Sequence, residues 1–280
     1  MIGVVGLGNM GRGMAGVLAR ASRPVWGFDL APVEIAGVTR AAELPALMSA
    51  CAIVVLSLPH AAAVGAAVDA FIAHAPGDAV LVDTSTIAVA DTRAFAARVA
   101  ASGRAMLDAP VSGGPSGAAA GKLTMMVGGE AAALAKVRPV LDLLAANVIH
   151  VGASGAGLVA KLANNLLVAS HLVTAAEALG MAARAGVKPE ALLPVINAAT
   201  GRSAATELNW PRWIASGAFD SGFAAGLMRK DVRLALELAE DCGASLEATR
   251  AAAAAWFESA VADDADFNRV AAALMEQGHG

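Results

Sequence analysis

Lys161 and Asn165 stand four residues apart in the stretch Gly155-x-Gly157-x-x-x-Lys161-x-x-Asn164-Asn165, so a helix there sets both on one face. The rest of that face is Ala and Leu, where a lysine is costly unless it is used. The ordinary alternative is an ammonium that reaches water past an apolar stem. Two adjacent asparagines inside a helix, both poor helix formers, tilt the reading toward function. An amine in a closed, apolar setting should have a lowered pKa and can exchange a proton with an alcohol oxygen that the Asn165 amide holds. A second group follows a strand-like run at Asp108-Ala-Pro-Val-Ser-Gly-Gly114. There the Ser112 hydroxyl and the N–H groups of Gly113 and Gly114 suit a small carboxylate or carbonyl oxygen, although Pro, Ser and Gly also make ordinary turns.

The third group is Gly6-Leu7-Gly8-Asn9-Met10-Gly11, placed between the apolar run Met1 to Val5 and the helix-compatible stretch Asn9 to Ala21. Gly6 permits the tight turn, Gly8 lets backbone approach a pyrophosphate, and Gly11 allows close packing of helix on strand. The helix N-terminus then turns N–H groups toward phosphate. Glycine-rich turns are common, so context decides. A second apolar run, Pro24 to Phe28, ends at Asp29, about the ~20 residues downstream where a dinucleotide-binding unit places the acid for the ribose hydroxyls. Asp29 argues for NAD over NADP, because it would repel a 2′-phosphate and no arginine follows within a few positions to receive one.

Elements that could position these groups alternate through the first half. Strand-like runs at Ile2 to Val5, Val25 to Phe28, Ile53 to Ser57, Ala79 to Val82, Ala105 to Leu107, Leu123 to Val127 and Val148 to His150 are mostly separated by helical patterns. That is an α/β pattern, a Rossmann-type doubly wound sheet with helices on both faces. Ligands of such sheets lie beyond the carboxyl ends of the strands. The loops to inspect are therefore Gly6 to Gly11, Asp29 to Pro32, Ser57 to His60 with Leu58 and Pro59, Asp83 to Thr86, and Asp108 to Gly114. After Val151-Gly152 the strands stop, and helical periods run from Gly155 to Ala185, Pro189 to Ala199 and Gly226 to Ala239. Two domains are expected, a dinucleotide-binding one over 1–152 and an all-α substrate and dimerisation domain over 153–280. The first helix of the second half, ~45 Å long at 1.5 Å per residue, could bridge the two and bury a face in a homodimer or homotetramer.

Composition narrows the class. The chain has 280 residues, 57% of them hydrophobic and 16% charged, with a net charge of −4. It is long enough for two compact domains. Basic residues are scattered singly, which leaves no footprint for nucleic acid. Cys51 and Cys242 are far apart and outside any Cys/His cluster, so neither a disulfide scaffold nor a metal site is expected. The first residues lack a basic leader and the long apolar stretches are broken by Gly, Pro or charge, so the expectation is a cytoplasmic protein with no membrane partner.

The blocks GLGNMGRGMA, DTST at Asp83 to Thr86, DAPVSGGPSGAAAGKLTMMVGG from Asp108, GLVAKLANN from Gly157 and GFAAGLMRKD from Gly222 together resemble the β-hydroxyacid dehydrogenases, in order and at matching spacing to about Leu238. Within that family the chain is most similar to the 3-hydroxyisobutyrate dehydrogenase branch, with tartronate semialdehyde reductase and threonate dehydrogenase types as relatives. The resemblance implies NAD(P)-linked oxidation of a short 3-hydroxy acid to its semialdehyde, or the reverse. It implies that Lys161 is catalytic, that Asn165 positions the substrate, and that Ser112, Gly113 and Gly114 form the substrate loop. Thr86 matches a cofactor contact near the nicotinamide, and Lys230 a lysine on the cofactor side. One departure is Ile87-Ala-Val-Ala-Asp91, where the family often has a proline shortly after the ST pair. A reading from another class is a non-catalytic dinucleotide-binding oligomerisation module, which, like an imine reductase on the same scaffold, is expected to lack the lysine.

Overall fold

The computed structural model describes residues 1–277. These fall into two compact units, Met1–Lys161 and a second from Leu162 onward.

The first unit is built on β1 (Ile2–Val5), β2 (Val25–Phe28), β3 (Val38–Arg40), β4 (Ile53–Leu56), β5 (Val80–Asp83), β6 (Ala105–Asp108), β7 (Val111–Ser112), β8 (Leu123–Gly128) and β9 (Ala145–Gly152). Their order is β3-β2-β1-β4-β5-β6-β8-β7, and β9 pairs with β8. The six strands β1 to β6 run parallel, while β8 is antiparallel to β6 and β7. Every residue of β1 and β5 is buried, as strands covered on both faces require. The chain leaves β1 toward β2 on one side and reaches β4 on the other, so the order reverses between β1 and β4. Ligands of open α/β sheets bind at such a point, and here the loops that meet it are Gly6 to Gly11 and Ser57 to His60.

Helices of this unit are α1 (Asn9–Arg20), α2 (Leu44–Ala50), α3 (Ala61–His74), α4 (Val89–Ala101), α5 (Gly114–Ala120) and α6 (Ala131–Leu144). Met14, Ala15 and Leu18 of α1 pack with Val4, Val55, Val82 and Leu107 of the sheet in one core. The short strands β3 and β7 were not expected. Val38–Arg40 is a half-exposed edge with no apolar run to mark it, and β7 is two residues beyond Pro110.

The helix α7 (Ala156–Arg184) has 29 residues, and the division between the units falls inside it. Its buried positions Leu158, Lys161, Leu162, Asn165, Leu166, Ala169, Leu172, Val173, Ala176 and Leu179 keep the three- and four-residue spacing of a helix with one face inside. By length and composition it could cross a membrane, contrary to the expectation that no stretch qualifies; 44% of that window is buried in the protein. The second unit continues with α8 (Pro189–Ala198), a π-helix (Ala205–Ile214), α9 (Ala225–Asp241), α10 (Glu247–Glu258) and α11 (Arg269–Gln277). The one β pairing among the described residues of this unit is an isolated bridge, Ala224 to Asp266. Trp256, fully buried, packs on Phe267 and donates its indole N–H to the Ala169 carbonyl at 3.1 Å.

Candidate active site

Three glycines shape the turn from β1 to α1, each for a different reason. Gly6 has φ +87°, and a Cβ on it would lie 2.2 Å from the Ser57 carbonyl oxygen. A Cβ on Gly11 would fall 1.8 Å from the Gly6 carbonyl oxygen. Both positions are closed to any side chain by the protein's own backbone. Gly8 is exposed and has nothing within 4 Å of its would-be Cβ, so packing does not demand a glycine there. A glycine there leaves room for close backbone approach by a ligand. Gly8 is the N-cap of α1 and gives it no side-chain cap, which leaves the first-turn N–H groups to a ligand or water. Leu7 is buried, Met10 half-buried and Asn9 exposed. These features fit a pyrophosphate.

Asp29 is half-buried at the end of β2. One carboxylate oxygen accepts the Leu7 N–H at 2.6 Å and the other the Ala31 N–H at 2.8 Å. The acid thus braces the glycine loop and caps its own turn, and each oxygen keeps acceptor capacity for a hydroxyl.

Two further loops are tied to each other. The Ser85 hydroxyl accepts the Leu58 N–H at 2.9 Å, and the Thr84 hydroxyl donates to the Leu56 carbonyl at 2.6 Å. Pro59 is exposed and Thr86 half-buried. Behind them Asp83, 1% exposed, accepts the Ser85 N–H at 3.0 Å. Burial pushes its carboxyl up to about 6, a shift that the Ser85 hydrogen bonds oppose and the neighbouring Asp108 charge assists.

The loop after β6 carries Ser112, half-buried on β7, then Gly113 with φ +126° and Gly114 with φ +61°. Gly113 caps α5 without a side-chain bond, and a left-handed Gly-Gly pair there exposes backbone N–H groups that an L side chain would have to strain to present.

Lys161 is 7% exposed and Asn165 4%. A snorkelling lysine keeps its head in water; at 7% exposure Lys161 has little of its surface there. The Asn165 amide is oriented at both ends. Its Nδ2 donates to Asp231 Oδ2 at 2.7 Å, and its Oδ1 accepts from Asn164 Nδ2 at 3.1 Å. Asp231 is 2% exposed on α9, so the bond is shielded from solvent. Lys230, the neighbour of Asp231, is partly exposed, with Nζ 3.6 Å from Asp231 Oδ1.

Sequence reasoning gave no role to Asp83 or Asp231 and expected Asp108 to cap or brace its own loop, whereas its carboxylate caps the start of α7. A usable signal existed for Asp231, whose spacing from Met228, Val232 and Ala235 places it on the buried face of α9. Several other polar and aromatic side chains have structural roles. His60 caps α3 by accepting the Ala63 N–H, Trp210 is core, Phe223 stacks edge-on against Phe267, and the Thr206 hydroxyl is bonded to the Ser203 backbone. Arg202 is exposed. No cluster of metal-ligating side chains occurs among the described residues.

The family model of the NAD binding domain of 6-phosphogluconate dehydrogenase matches residues 1–152. A second, the NAD-binding domain of NADP-dependent 3-hydroxyisobutyrate dehydrogenase, matches residues 155–274. The chain is 37% identical to 2-(hydroxymethyl)glutarate dehydrogenase of Eubacterium barkeri, covering 89% of this chain and 85% of that protein. It is 39% identical to an NAD-dependent L-serine dehydrogenase of Pseudomonas aeruginosa, over 87% of each. Among solved structures, Mycobacterium tuberculosis 3-hydroxyisobutyrate dehydrogenase with L-serine superposes with a TM-score of 0.91 at 36% identity, covering 98% of both chains.

Proposed function

This chain belongs to the β-hydroxyacid dehydrogenase family, nicotinamide-dependent oxidoreductases of small hydroxyacids, and on that premise we propose that it oxidises a short 3-hydroxy acid of the 3-hydroxyisobutyrate type to its semialdehyde, reversibly, with Lys161 as general acid and base. The observation that carries the reading is the burial of Lys161, 7% exposed, on the same helix face as an Asn165 whose amide is fixed by Asp231. An amine withdrawn from water has a bound hydroxyl, rather than solvent, with which to exchange its proton.

In this reading Gly6, Leu7, Gly8, Asn9, Met10 and Gly11 hold the pyrophosphate, Asp29 the adenosine ribose, and Leu58, Pro59, Thr86 and Lys230 complete the cofactor contacts. The bound nicotinamide supplies the hydride acceptor in oxidation and the donor in reduction. Ser112, Gly113 and Gly114 hold the substrate carboxylate, and Asn165 holds the hydroxyl oxygen, so that each end of the substrate has its own anchor. As the C–H bond yields its hydride, Lys161 Nζ takes the hydroxyl proton; in reverse, its ammonium returns that proton to the carbonyl oxygen.

The substrates named for the relatives, 3-hydroxyisobutyrate, L-serine and 2-(hydroxymethyl)glutarate, share the skeleton HO–CH2–CH(X)–COO⁻ and differ only in X. The Ser112 loop and the Lys161–Asn165 pair address the shared part. Glycerate, the product of tartronate semialdehyde reduction, has the same skeleton with a hydroxyl at X and is the second reading; a threonate-type substrate would extend it. The half-buried Asp29 carboxylate favours NAD over NADP, since a 2′-phosphate would meet its charge.

The test is a panel of such acids, differing at X, assayed with NAD⁺ and NADP⁺. The reading expects turnover of at least one C3 or C4 member, fastest with NAD⁺. Activity confined to substrates without a carboxylate would overturn the substrate class, and equal kcat/KM for the two cofactors would overturn the role given to Asp29.

A further inference from the structure

Asp108 ends β6 and is 1% exposed. It begins the loop that carries Ser112, yet its carboxylate turns to a different element. Oδ1 accepts the Gly155 N–H at 2.7 Å and Oδ2 accepts the Leu158 N–H at 3.0 Å. Both donors belong to the start of α7, where helix N–H groups have no partner within the helix, and a carboxylate there also meets the favourable end of the helix dipole.

The surroundings admit this acid and little else. A Cβ on Gly128 would lie 2.5 Å from Asp108 Oδ1, and a Cβ on Gly157 would lie 2.9 Å from Oδ2 and 2.2 Å from the Met126 carbonyl oxygen. Two glycines on two elements are thus kept bare around one carboxylate, and the first turn of α7 lies directly on the sheet. An asparagine would fill the same volume but must turn an N–H toward one of two N–H donors, so it can satisfy only one of them. Lys161 is the next turn of the same helix, three residues beyond Leu158.

We propose that Asp108 is a positioning residue for Lys161, clamping the first turn of α7 to the end of β6 so that Nζ is delivered at a fixed height above the sheet. This rests on Lys161 being the acid and base. It assigns Asp108 to the proton-transfer step, although by sequence it opens the carboxylate-binding loop. A clamp acting through α7, which also carries Asn165, lowers kcat more than it raises KM and leaves dinucleotide affinity in place; an acid that shapes only its own loop acts on KM instead.

The experiment is a double-mutant cycle of Asp108→Asn and Lys161→Ala, read by kcat, hydroxyacid KM and NADH fluorescence titration. Asp108→Asn should lower kcat by about tenfold to a hundredfold, the scale of a misplacement near 1 Å, with KM raised by a smaller factor and NADH affinity changed less than about twofold. In the Lys161→Ala background the same substitution should cost almost nothing more, because coupled residues are not additive. Equal fold losses in both backgrounds, or a loss confined to KM, would overturn the clamp. A Lys161→Ala enzyme with ordinary kcat would instead overturn the acid–base reading. If Asp108→Asn does not fold, Gly157→Ala lifts the same turn while keeping the acid, and it should reproduce the kcat loss. In the unmodified protein the Gly155 and Leu158 amides should exchange with solvent far more slowly than first-turn amides ordinarily do; rapid exchange there would overturn the clamp without any variant.

Discussion

Asp83 shows what burial does to a single side chain. It stands opposite Asp108 in the β5–β6 register, and burial moves its carboxyl from 3.8 to about 6. Between those values the folded chain keeps a proton that the unfolded chain has released, so this residue makes stability fall as pH rises across the window. Asp83→Asn still offers an acceptor to the Ser85 N–H but cannot ionise. Its melting temperature relative to the parent should therefore climb from about pH 4 to about pH 6.5 and level off above. A difference that does not vary with pH in thermal melts would contradict the buried-acid reading. Lys161 and Asn165 were legible as residues because polar groups on an apolar helix face are conspicuous. Asp108 was not, because its partners are backbone N–H groups 47 and 50 positions away, and no side-chain pattern records them.

Elements were legible where apolar runs end in glycine or an acid. β1, β2 and β4 to β6 stand within a residue of the expected bounds because each is a buried run closed by a turn residue. β9 begins three residues earlier than expected, and the π-helix Ala205–Ile214 was missed, since Asn209 and Pro211 hide its period. The turn into α1 separates two uses of glycine. Gly8→Ala should leave stability nearly unchanged, as nothing lies within 4 Å, yet weaken NADH binding by about tenfold or more, a loss near 1.4 kcal/mol. Gly11→Ala should instead destabilise the fold by about 3 kcal/mol, because its Cβ would meet the Gly6 carbonyl at 1.8 Å. Denaturant unfolding and fluorescence titration of both variants check this; a destabilised Gly8→Ala with intact NADH affinity would reverse the assignment.

The whole molecule leaves apolar surface on the helix that also carries the candidate chemistry. Val159, Leu167 and Met181 of α7 are 37%, 53% and 68% exposed and share one side of the helix, which favours a homodimer or larger assembly. Light scattering at micromolar concentration should return a multiple of the 27.8 kDa chain mass; the single-chain mass would contradict it. In the proposed reading, function depends on one chain joining a dinucleotide-binding unit to a helix that supplies the proton-transferring amine, and Lys161→Ala separates these contributions most directly. The variant keeps the glycine loop and Asp29, so NADH should titrate as it does with the parent, while kcat for the hydroxyacid falls by ~10² to 10⁴, the usual loss on removing a general acid or base. NADH binding with kcat and its pH profile unchanged would show that the proton travels by another route and that Lys161 is not the catalytic group.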